Sequence, residues 1–85
     1  MESEKRISDL IHTYDKIAIK IEYEGTVTPS IEKEIHEAER QYAILLNTVF
    51  QSQDTKTRGL FININEKRDY AKQVYLERGG KAWYV

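Results

Sequence analysis

The sequence predicts an α/β domain, with α+β as the alternative. It is a three-stranded sheet with helices packed on one face, in the order α-β-α-β-α-β around one long central helix. Three observations lead there. Residues 16–24, KIAIKIEYE, alternate apolar and polar side chains, the period of a half-buried strand. Residues 59–65, GLFININ, repeat that alternation. Between them, residues 29–52 carry the apolar spacing of a helix.

The first element is a short amphipathic helix. Ile7, Leu10, Ile11 and Tyr14 fall at i, i+3, i+4 and i+7, and Ser3 is placed to cap it. In the strand that follows, Ile17, Ile19, Ile21 and Tyr23 share one face, opposite Ala18, Lys20, Glu22 and Glu24. Gly25 ends it. Thr28-Pro29 opens the long helix, because Thr is a favoured N-cap and Pro suits the first turn. Ile31, Ile35, Ala38, Tyr42, Leu45 and Val49 then form a narrow seam, which Leu46 and Phe50 broaden. The polar stretch 51–58, QSQDTKTR, reads as a loop.

In the second strand Leu60, Ile62 and Ile64 face one way and Phe61, Asn63 and Asn65 the other. Asn65 is placed to cap the third helix, residues 66–78, on which Tyr70, Ala71, Val74 and Tyr75 form the core stripe. Gly79-Gly80 stops that helix, and KAWYV, residues 81–85, is a final strand. Alternating strands and helices imply right-handed parallel crossovers.

With 85 residues the chain makes one domain, residues 1–85. Its apolar fraction of 40% supports a folded core, but a small one. The absence of cysteine excludes disulfides, thiolate catalysis and Cys-type zinc sites. No apolar run approaches a membrane span, and the charged start lacks a signal-peptide stretch, so the expectation is a cytoplasmic protein with no membrane partner. Net charge is −1, but residues 1–53 carry six Lys/Arg against ten Asp/Glu, and residues 54–85 carry seven against four. An acidic front and a basic back can pair within the fold, pair between chains, or offer a basic face to a ligand.

No catalytic constellation, cofactor motif or metal site emerges. His36 has Glu32 and Glu39 at helical spacing, but it lies in a run rich in charge and lacks a zinc-peptidase motif. Gly79-Gly80-Lys81 follows a helix rather than preceding one, so it offers no helix N-terminus to a phosphate.

The expected function is therefore non-enzymatic: a small interaction module, acting as a regulator, inhibitor or accessory factor that binds a partner macromolecule, with an unidentified protein among the expected partners, and forming a homo-oligomer. Ile44 and Leu76 lie off their helical stripes and, with Phe50, are the candidates for self-association. Arg58, Asn63, Lys67, Arg68 and Tyr70 are the candidates for an acidic partner or an anionic ligand. Two alternatives remain. One is nucleic-acid binding by the basic, aromatic C-terminal half, since cations track phosphates and aromatics stack on bases. The other is an oligomer that sequesters a small anionic ligand near Arg58, Asn63 and Tyr70.

Overall fold

A computed structural model describes residues 2–51 and 55–80, with side chains from 5 to 48 and from 55 to 80. It contains three α-helices: α1 Glu2–Glu24, α2 Pro29–Gln51 and α3 Thr55–Glu77. Each has 23 residues and spans about 34 Å. The body measures 40 × 21 × 17 Å, so the helices run along its long axis.

The expected α/β sheet is not there. Among the described residues there is no strand, and KIAIKIEYE and GLFININ are helical. The last expected strand, KAWYV, lies outside the described residues. The physical reason for the difference is the longer pattern. Ile17 and Ile21 are four residues apart, which fits a helix as well as a strand. They continue the stripe of Ile7, Leu10 and Tyr14 at spacings 3-4-3-4, and all five are buried. Ile19, which a strand would bury beside them, is 59% exposed, and Tyr23 is 88% exposed.

The same holds in α3. Thr57, Phe61, Ile64, Arg68, Ala71 and Tyr75 form one seam at spacings 4-3-4-3-4, all buried but the partly buried Arg68. Phe61 and Ile64 face inward, whereas Ile62 is 59% exposed. Residues 55–58, read as loop, form the first turn of α3. Asn65 lies in the middle of that helix rather than at a cap, and α1 begins at Glu2, ahead of Ser3. Tyr70, expected on the core stripe, is 49% exposed, while Ala71, Val74 and Tyr75 are buried.

The helix boundaries follow from local chemistry. The Thr28 hydroxyl accepts a hydrogen bond from the Ile31 amide at 3.2 Å, an N-cap bond, with Pro29 at the first helical position. Gly25 has φ +77° and donates its amide to Ile21 O at 2.8 Å, closing α1 with a left-handed residue. Gly79 has φ +96°, and the Gly80 amide reaches Tyr75 O at 2.9 Å, the six-to-one bond of a Schellman cap on α3.

Antiparallel pairing of α1 and α2 is set by Lys20 with Glu34 and by Tyr14 with Glu39. Parallel pairing of α1 and α3 is set by Asp15 with Lys67 and by Glu22 with Tyr70. The result is an up-down-up bundle. Helix α3 lies along α1, while the backbones of α2 and α3 approach at few points. Tyr14, Ile7, Ile17, Ile21 and Ile64 are the largest fully buried side chains. Burying an isoleucine of this kind contributes about 1.5–3 kcal/mol.

Candidate functional site

Two regions carry polar chemistry: a cluster inside the bundle and an outward face shared by α1 and α3.

The inner cluster fills the seam between α2 and α3. Arg68 donates its Nε–H to both Glu39 oxygens, at 2.9 and 3.1 Å. The Tyr14 hydroxyl donates to Glu39 Oε2 at 3.0 Å. The Arg68 guanidinium lies 4.4 Å from the centre of the Tyr42 ring, which itself stacks on Phe61 at 5.3 Å. The Tyr42 hydroxyl donates to Asn65 Oδ1 at 2.6 Å. Two turns beyond Arg68, the Tyr75 hydroxyl donates to Glu32 at 3.1 Å. Long side chains thus span a seam too wide for the two backbones to close. Among the described residues, no buried side-chain N or O atom lacks a partner.

Burial raises the pKa of the Tyr14 phenol far above its ordinary value, and the Glu39 charge and hydrogen bond raise it further, against the opposing pull of Arg68. Burial works against the charge of Arg68, but the hydrogen bond and attraction of Glu39 outweigh it, so its pKa is raised. The cluster keeps a neutral phenol and a charged guanidinium on either side of one carboxylate. Its chemistry is that of a structural ion pair, with every polar tip engaged.

The outer face begins with Ile19 and Tyr23, one helical turn apart on α1. Glu22 lies beside them and accepts a hydrogen bond of 2.5 Å from the Tyr70 hydroxyl of α3. The Tyr70 ring, half in solvent, is thereby drawn against α1. Nearby, Lys67 pairs with Asp15 at 3.4 Å.

The residues singled out from the sequence therefore fall in different places. Lys67, Arg68 and Tyr70 are each engaged with a carboxylate of the N-terminal half, so part of the charge split is used inside the fold. Arg58 and Asn63 are exposed on α3. Ile44 is 43% exposed on α2 and Leu76 is 47% exposed on α3, both away from the core. Phe50 lies within α2, and its side chain is outside those described. His36 is exposed and lines a shallow hollow with Lys33, Arg40 and Ala43. Its helical neighbours Glu32 and Glu39 accept hydrogen bonds from Tyr75 and Tyr14. Among the described residues, no three His, Asp or Glu side chains converge to hold a metal ion. No described helix is long and apolar enough to cross a membrane.

Sequence reasoning missed Tyr14, Glu39 and Tyr42 as members of one polar cluster. The signal was there in Arg68, the one charged residue on the α3 seam. It also missed Ile19 and Tyr23 as surface residues, because the strand reading buried them. Compared with known proteins, the chain matches no family model, no curated protein and no solved structure closely enough to be placed in a family.

Proposed function

We propose that this chain is a non-enzymatic helical interaction module that acts by binding a partner protein through the outer face of α1 and α3. The observation that carries the reading is the exposure of Ile19 and Tyr23, one turn apart on α1, together with that of Tyr70, which is tied to Glu22 of the same helix. Three large apolar or amphipathic side chains stand substantially in solvent there. Tyrosine offers much contact area with few rotatable bonds, and grouped exposed apolar side chains mark interaction sites more than scattered ones do. The inner cluster supports the reading too, since its polar groups are committed to holding the helices together.

Affinity capture from an extract of the native host, run in parallel on wild type and variants, tests this. A partner retained by wild type and by an exposed control such as Lys33→Glu, but lost from Ile19→Glu with Tyr23→Glu, supports the function. Equal retention by wild type and both variants overturns it.

A second reading is self-association through the outer side of α2, favoured by the solvent-facing Ile44. Light scattering at tens of micromolar decides it: a dimer mass that Ile44→Glu converts to a monomer supports it, and a monomer in wild type removes it. Nucleic-acid binding receives less support, because Lys67 and Arg68 already carry acidic partners.

A further inference from the structure

Each helix buries one alanine, and the three alanines mark contacts of different closeness. Ala18 of α1 and Ala71 of α3 are shut off from solvent. Ala18 lies between Asp15 and Glu22 on the flank of α1 whose carboxylates reach Lys67 and Tyr70, the neighbours of Ala71. Small side chains at such a contact let two helix axes approach closely. Among the described residues, α1 and α3 are the pair whose backbones stay close over the greatest length.

Helix α2 is held differently. Ala38 is buried and, with Ile31, Ile35 and Leu45, docks α2 on the bundle. A hollow nevertheless runs in between α1 and α2, lined by Leu10, Thr13, Glu34, Glu37, Ala38 and Gln41. Towards α3 the α2 backbone comes near at few points, and the gap is spanned by polar tips: Glu39 with Arg68, Asn65 with Tyr42, Glu32 with Tyr75. Water solvates such tips when both partners part, so opening this seam costs less than parting an apolar one. The Lys20–Glu34 tie to α1 is at the surface and is as readily replaced by water. We propose that α2 is the releasable helix of the bundle. It leaves as one unit from an α1–α3 pair that stays together, uncovering its own stripe of Ile31, Ile35, Ala38 and Leu45 and the facing Leu10 and Tyr14 of α1. The device does not rest on the outer-face reading, because Ile19, Tyr23 and Tyr70 belong to the pair that stays.

The chain has no cysteine, so Ala18→Cys, Ala38→Cys and Ala71→Cys each place a single thiol at one helix contact. Each full-length variant is labelled with a chromogenic aromatic disulfide in buffer and in low urea. Each rate is divided by that of the same thiol in the unfolded chain, and the urea midpoint of each variant fixes the rate that global unfolding alone would give. The expected result is labelling of Ala38→Cys at least about tenfold faster than of the other two, with a weaker urea dependence, because a partial opening exposes less surface than global unfolding. Rates that all follow global unfolding overturn the proposal, since the bundle then opens only as a whole. Faster labelling of Ala18→Cys or Ala71→Cys also overturns it, by placing the release at α1 or α3. Where a variant fails to fold, hydrogen exchange of the unsubstituted chain makes the same comparison, because a freed α2 loses the packing that keeps it helical. Exchange of the amides of residues 35–45 through a lower-energy opening than those of residues 14–21 and 64–74 supports the proposal. One opening shared by all three sets overturns it.

Discussion

Arg68 and Glu39 face each other across the bundle with a single Nε–H shared between two carboxylate oxygens, at 2.9 and 3.1 Å. The Glu39 side chain is almost wholly buried, whereas a quarter of the Arg68 side chain reaches solvent. Such a pair contributes little net stability compared with apolar residues of the same volume, but removing one member strands the other. Arg68→Ala should therefore cost about 3 kcal/mol, read from urea denaturation. The double variant Glu39→Leu with Arg68→Met should recover at least half of that loss. If the two single losses simply add in the double variant, the residues are not coupled and the cluster is not the bridge described.

Tyr14 gives the cluster a pH signature. Its folded pKa is raised, so the folded state keeps the phenolic proton where the unfolded chain releases it. The contribution is complete below the unfolded value of about 10 and is lost as pH rises above it. Stability should fall by about 1.4 kcal/mol per pH unit there for this one group. Tyr14→Phe should flatten the slope of urea midpoint against pH above about pH 10. A variant that keeps the wild-type slope would show that Tyr14 is not the group responsible. Tyr70 is also raised, but its hydroxyl meets Glu22 at the surface, so it is the smaller contributor.

Two glycines should respond in opposite senses to alanine. Gly59 lies inside α3, and an added Cβ would meet nothing within 4 Å. Gly59→Ala should stabilise the protein by about 0.5–1 kcal/mol, by lowering the entropy of the unfolded chain and favouring helix. Gly25 also has open space around it, but its φ of +77° penalises any Cβ. Gly25→Ala should cost about 1–2 kcal/mol. Thermal melts of the two variants, shifted to opposite sides of wild type, are the expected result, and shifts of the same sign would contradict the helix boundaries.

Two helix boundaries were legible in the sequence, Thr28-Pro29 at the start of α2 and Gly79-Gly80 at the end of α3, because capping chemistry is local and needs no partner element. Gly25 was legible as a stop, but of a strand, and the starts of α1 and α3 were misplaced. The seam of α2 was legible too, since Pro29 opens it and no glycine or proline interrupts it. The strands were misread because isoleucine favours strands and because a five-residue window cannot separate periods of two and four at Ile17 and Ile21. No glycine or proline stands between Tyr14 and Ile17, and that silence, read over the full stretch from Ile7 to Ile21, points to one continuous helix. Gly59 had the opposite effect, breaking α3 on paper where the helix simply tolerates it. The Glu39–Arg68–Tyr14 cluster joins three helices far apart in sequence, so its membership depended on the topology that the strand reading had already lost.

Ile17, Ile19 and Ile21 supply the sharpest remaining test, because the two architectures rank them differently. A strand buries all three alike. In α1, Ile17 and Ile21 are fully buried and Ile19 stands in solvent. Ile17→Ala and Ile21→Ala should each cost about 2–5 kcal/mol, through lost burial and the cavity left behind. Ile19→Ala should change stability by no more than about 0.5 kcal/mol, as surface substitutions do. Urea denaturation of the three variants at one temperature separates the cases. Equal losses at all three positions would restore the strand and remove the exposed Ile19 on which the interaction face depends. A loss at Ile17 and Ile21 alone would place Ile19 where a partner's side chain can reach it.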